Sequence, residues 1–149
     1  MFYAFLIYLS FKQLITKAQL PTYVGDDCNY STEQPLSNAY QKNLNSILSY
    51  LSVGAATSKG YNYTSIGNNT TNGDAVYGLY DCRGDVVGYV CELCCLSAAS
   101  REVLGCCPNG VSATIFYSFC IFRYSNENFF GKVTTYLSFL DTFWSQKRL

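Results

Sequence analysis

Apolar positions along the chain change their period from segment to segment, and each change marks an element. Between Pro35 and Val53 the residues Tyr40, Leu44, Ile47, Leu48 and Leu51 recur three and four apart, which places them on one face of a helix. Ser37 or Asn38 is suited to cap its start and Gly54 to end it. Gly60 to Ile66 (GYNYTSI) is aromatic and β-branched and predicts a strand. Gly67 to Gly73 (GNNTTNG) has the composition of a turn, and Ala75 to Cys82 (AVYGLYDC) predicts the returning strand of a hairpin. Arg83 to Val90 reads as a loop between Cys82 and Cys91. Leu93 to Leu104 lacks proline and is rich in Ala, Leu and Ser, which predicts a second helix, stopped by Pro108-Asn109-Gly110. Ser112 to Phe119 and Cys120 to Tyr124 are strand-like, and Ser125-Asn126 turns the chain. Helix, hairpin, helix and further strands, with no βαβ rhythm, predict an α+β fold with helices packed on an antiparallel sheet.

The two ends read differently. Phe2 to Phe11 is an apolar run too short to span a bilayer as a helix. Thr16-Lys17-Ala18 follows with small residues at the positions a signal peptidase prefers, so residues 1–18 are expected to be a signal peptide. Residues 19–27 read as a linker. At the other end, residues 132–149 form a tail in which Tyr136, Leu137, Leu140, Phe143 and Trp144 fall at helical spacing ahead of Gln146-Lys147-Arg148. Such a tail either docks on its own domain or offers an apolar face to a partner helix. No stretch after the leader is apolar enough to span a membrane, so no membrane span is expected in the mature chain.

Composition narrows the chemistry. The chain has 149 residues, enough for one domain with a real core, and 49% hydrophobic against 13% charged residues excludes a disordered chain. Ten basic residues balance ten acidic ones with no basic stripe, which argues against a nucleic-acid partner. There is no His, so neither a Ser-His-Asp or Cys-His arrangement nor an HExxH zinc site can be assembled. Eight Cys, the leader and sequons at Asn29, Asn62, Asn68 and Asn69 agree on an oxidising secretory route, and these four asparagines are the expected glycosylation sites.

The cysteines fall at Cys28, then Cys82-x8-Cys91-x2-Cys94, the neighbour Cys95, the pair Cys106-Cys107, and Cys120. Together with Asn43-Leu44-Asn45, Tyr77-Gly78-Leu79, Cys82-Arg83-Gly84-Asp85, Cys107-Pro108-Asn109 and Cys120 to Asn126, this spacing resembles the plant ginkbilobin-like domain. That domain occurs in cysteine-rich repeat secretory proteins and cysteine-rich receptor-like kinases, and the resemblance covers residues 28–131. It implies two helices on a five-stranded antiparallel sheet, stapled by about three disulfides. It also implies the pairs Cys28–Cys107, Cys82–Cys91 and Cys94–Cys120. Closing the ~80-residue loop of the first pair stabilises by several kcal/mol in the chain-entropy model.

Cys95 and Cys106 are additions to the family pattern, and Cys95 rather than Cys94 is the alternative counterpart of the motif's third cysteine. Opposite ends of a helix, roughly 16 Å apart, are too far for these two to bridge directly. Free thiols, a swapped pairing or an intermolecular bridge remain open. Cys91-Glu92-Leu93-Cys94 lacks the βαβ context of a redox CxxC motif, and adjacent Cys106 and Cys107 are awkward partners for Cys91 and Cys94 in one zinc tetrahedron. Structural disulfides are the expected state, with no metal or other cofactor.

For binding, the resemblance implies a mannose site built from an Asn after the first cysteine, an Arg before the last and a Glu after it. Asn29 fills the first position, but Thr114 and Ser125 stand at the others, so the charge-assisted hydrogen bonds are missing. A glycan on Asn29 would also occupy that position. Arg83-Gly84-Asp85 belongs to the family framework and reads as a turn rather than an adhesion motif. Exposed rings among the 14 Tyr and 10 Phe are the better lead, since Tyr makes good contact surface for sugars and proteins.

The function expected from these readings is that of a secreted, non-catalytic recognition module of plant stress or defence, located in the apoplast. Its partner would be an extracellular glycan or protein, and a dimer is among the assemblies this allows. The rivals are a mannose-binding antifungal lectin-like effector and a truncated receptor-kinase ectodomain acting through protein contacts.

Overall fold

The computed structural model describes residues 20–30, 36–57, 59–67, 73–86 and 88–132; the expected signal peptide, the tail beyond Lys132, and Asn68 and Asn69 lie outside them. Five strands are present, β1 (Tyr23–Tyr30), β2 (Tyr61–Ile66), β3 (Val76–Cys82), β4 (Gly110–Tyr117) and β5 (Cys120–Ser125). They form one antiparallel sheet in the order β1-β4-β5-β3-β2. Two helices, α1 (Asn38–Gly54) and α2 (Gly88–Ser97), complete the two-layer α+β arrangement.

Helix α1 forms where the apolar period requires it. The Ser37 hydroxyl accepts a hydrogen bond from Tyr40 N–H at 3.0 Å and so satisfies one of the helix's open donors. Tyr40, Leu44, Ile47, Leu48 and Leu51 are all buried, as their spacing demands. They pack on the sheet face that carries Val76, Tyr80, Ile115, Phe122 and Tyr124. Two core tyrosines keep their hydroxyls satisfied: Tyr40 donates to Val111 O at 2.6 Å and Tyr124 to Gly110 O at 3.1 Å.

Two local expectations need correction. Residues 23–27, expected in a linker, form the first half of β1 and pair with β4, with Asp26 opposite Ile115 and Asp27 opposite Thr114. Gly25, Asp26 and Asp27 are poor strand formers, and only the pairing with β4 makes a strand of them. The second helix starts at Gly88 instead of Leu93, so the end of the expected Arg83–Val90 loop is helical. A Cβ on Gly88 would stand 2.4 Å from Ala56 O, so the helix start approaches the end of α1 as closely as only glycine permits. After Ser97 the helical path widens into a π-helical segment, Ala98–Val103.

Three disulfides staple the layers. Cys28–Cys107 ties the edge strand to the segment after the π-helix, Cys82–Cys91 ties β3 to α2, and Cys94–Cys120 ties α2 to β5. Cys95 is a buried free thiol and Cys106 an exposed one.

Candidate recognition surface

Side chains alternate across the sheet, so the register assigns each residue to the helix-covered face or to the opposite, open one. Three rows cross the open face. Asn29, Ser112, Ser125, Tyr77 and Ser65 form one; Asp27, Thr114, Arg123, Leu79 and Tyr63 the next; Gly25, Phe116, Ile121, Asp81 and Tyr61 the third. On edge strand β2, Tyr61 and Tyr63 are 57% and 60% exposed, large rings held side by side at the rim.

The chain after β5 comes back over this face. A turn at Asn128, whose side-chain Oδ1 accepts from Phe130 N–H at 3.0 Å, delivers two aromatic rings onto it. The Phe130 ring lies 5.0 Å from that of Tyr63 and 5.7 Å from that of Tyr77, both in tilted or edge-on contact. Phe129 is buried beneath the Arg123 guanidinium. Between this return segment and the strands lies a groove of about 790 Å³. Its walls are Tyr61, Tyr63, Phe116, Ile121, Phe129 and Phe130, with Asp81, Thr114, Arg123 and Lys132 supplying polar atoms. Partial desolvation raises the carboxyl of surface-exposed Asp81 from its ordinary value. A concave, mostly apolar site with a few convergent polar groups is what ligand sites look like physically.

The three positions implied for mannose binding all lie on this face, but with altered chemistry. Asn29 and Ser125 share a row with Ser112 between them, and Thr114 sits one row away. Thr114 and Ser125 are only 2% and 7% exposed. The Ser125 hydroxyl accepts from Glu127 N–H at 3.0 Å and so serves the turn beside it. Asn29 is exposed at the sheet edge. The Asn62 carboxamide, by contrast, is half-buried and accepts from Tyr63 N–H at 2.9 Å.

Arg83-Gly84-Asp85 forms a closed turn. Arg83 donates to both carboxylate oxygens of Asp85, to Ser118 O at 3.2 Å, and lies 4.7 Å from the Phe119 ring centroid. This hydrogen bonding from Arg83 holds the Asp85 carboxyl below its ordinary range. The four cysteines weighed as a zinc set do not converge, because Cys91, Cys94 and Cys107 each belong to a different disulfide.

The profile of the salt stress response/antifungal family matches residues 27–127. The chain belongs to this family. Its members in Arabidopsis thaliana include cysteine-rich repeat secretory protein 55, 38% identical over 108 residues, which are 72% of this chain and 40% of that protein. Cysteine-rich receptor-like protein kinase 10 from the same organism is 37% identical over 119 residues, 79% of this chain but 17% of the kinase. The chain therefore spans less than half the length of these curated relatives. Among solved structures, the tandem DUF26 ectodomain of the Arabidopsis thaliana cysteine-rich receptor-like protein PDLP5 matches with a TM-score of 0.64 and 31% identity over 74% of this chain and 53% of its own. The corresponding PDLP8 ectodomain gives the same score at 23% identity, which speaks to the fold. The family domain is an extracellular, cysteine-rich type shared by secreted proteins and receptor-kinase ectodomains. No described helix is long and apolar enough to cross a membrane.

Composition predicts exposed aromatic rings but does not single any out. Tyr61 and Tyr63, two apart in GYNYTSI, carried the signal for a shared face. Arg123, Phe129 and Phe130 carried none, because only the return of the chain over the sheet brings them together.

Proposed function

We propose that this chain is a non-catalytic recognition module of plant stress or defence, acting in the apoplast, and that it binds through the open-face groove. The observation that carries this reading is the pair of exposed rings, Tyr61 and Tyr63, at the rim of an aromatic groove that also holds Arg123 and Asp81. Rigid rings beside a few polar groups suit the apolar faces and hydroxyls of a glycan, or an aromatic side chain of a protein partner. A non-catalytic role is supported by the lack of His and by six of eight cysteines being held in disulfides. Exposed Asn29 is the more accessible of the two described sequon asparagines, and a glycan there would stand at the far edge from β2.

The test is a glycan array probed with the chain secreted from a eukaryotic host, alongside a Tyr61→Ala/Tyr63→Ala double variant. Binding that the double variant loses supports the groove. Binding that survives it and disappears in Asn29→Ala overturns the groove in favour of the mannose-type corner. No glycan binding together with dimerisation in sedimentation favours the receptor-like, protein-contact reading.

A further inference from the structure

Cys91 and Cys95 lie four residues apart in α2, so both side chains leave the same face of the helix, one turn apart. That face meets the end of β3, where Cys82 is bonded to Cys91. The Cys95 sulfur is 3.8 Å from the Cys82 sulfur, and all three sulfurs lie within 4.8 Å of one another. All three residues are buried, in a cluster closed to solvent. A buried cysteine alone is an inert apolar residue, but here a thiol stands against a disulfide with no atom needed to connect them.

We propose that Cys95 is a second disulfide partner for Cys82. The Cys95 thiolate attacks the Cys82 sulfur, the Cys82–Cys95 bond forms, and the Cys82–Cys91 bond breaks with its electron pair leaving on the Cys91 sulfur. Cys91 then takes up a proton in place of the one Cys95 gave up. One disulfide and one thiol stand on each side, so no oxidant or reductant is consumed. The bridge moves one turn along α2, about 6 Å. The sequence separation it closes grows from 9 to 13, releasing the first turn of the helix from β3.

The folded core slows this exchange. Burial pushes the Cys95 thiol up to about 12, so little thiolate is present at neutral pH. With the three sulfurs so close together, Cys95 stands beside the Cys82–Cys91 bond and must rotate into line with it. Exchange therefore belongs to folding and to openings of α2, when both restraints are lifted.

The test uses the secreted chain, incubated in a glutathione redox buffer, acid-quenched, denatured and alkylated without reduction. Cleavage after Arg83, Glu92 and Arg101 then separates Cys91 from Cys95. Two linked products of the Cys82 peptide are expected, one with residues 84–92 and one with residues 93–101, which also carry Cys94 and its bridge to the Cys120 peptide. Fragment-ion sequencing places the second link on Cys95, and alkylated Cys91 accompanies it. Finding only the first, with Cys95 alkylated throughout, overturns the proposal. A Cys91→Ala chain is expected to bridge Cys82 to Cys95 and leave Cys106 as its free thiol. Alkylation of both Cys82 and Cys95 in that variant overturns it as well, and the wild-type measurement stands if the variant does not fold.

Discussion

The guanidinium of Arg123 lies over the Phe129 ring, 4.0 Å from its centroid, so a residue of the inner strand β5 holds down the segment that crosses the open face. Phe129 and Phe130 of that segment form one wall of the groove, and Phe130 is anchored separately on Tyr63 and Tyr77. A cation over an aromatic face contributes about 1 kcal/mol when partly desolvated. Phe129 also loses most of its exposure there, so the larger share of the stabilisation is apolar.

Phe129→Ala is accordingly expected to lower unfolding free energy by about 3 kcal/mol in a urea titration, and Arg123→Ala by about 1 kcal/mol. Both should weaken any ligand that uses the groove. A Phe129→Ala chain with unchanged stability would mean that the return segment does not pack there.

Gly78 sits in β3 directly beneath α1, and a Cβ on it would stand 2.4 Å from Ile47 Cγ2 and 3.1 Å from Leu51 Cδ1. Gly78→Ala should therefore cost about 2 kcal/mol through overpacking, read as a lowered thermal midpoint. Gly84→Ala is the control, since nothing lies within 4 Å of its added Cβ, and it should leave the midpoint nearly unchanged.

The staples should differ in strength according to the loops they close. Cys28–Cys107 spans a separation of 79 and Cys82–Cys91 one of 9. In the chain-entropy model, replacing the first pair by serines should cost ~4.5 kcal/mol and the second ~2.5 kcal/mol. Equal losses in denaturant titrations would show that local strain, and not loop closure, governs both.

Alkaline pH should destabilise the fold through its buried tyrosines. Burial raises the Tyr40 and Tyr124 hydroxyls above their ordinary value near 10. The folded chain thus holds these protons more tightly than the unfolded one. Their stabilisation is complete below about pH 10 and is lost as pH climbs from there toward the raised values. Thermal midpoints should be flat from pH 7 to 9 and fall above about 10. Tyr40→Phe should lose ~1 kcal/mol at neutral pH, through the bond to Val111 O, and show a shallower alkaline decline.

Much of this was legible along the chain, for reasons that separate cleanly. The 3.6-residue period of Tyr40, Leu44, Ile47, Leu48 and Leu51 is a local property, and it determined α1 and its buried face by itself. The turn-flanked runs Gly60–Ile66 and Ala75–Cys82 likewise determined the β2–β3 hairpin. The cysteine pairing was not readable from spacing, because eight cysteines allow many connectivities; the family resemblance supplied it. Only the tertiary structure decided that Gly25-Asp26-Asp27 is strand, since β4 provides the partner that local propensity lacks. Only it set Cys95 3.8 Å from Cys82, and only it carried Phe129 and Phe130 back over Tyr63, Tyr77 and Arg123 to make a groove. Periodicity records which side of an element is buried; what two distant elements place against each other is settled by packing.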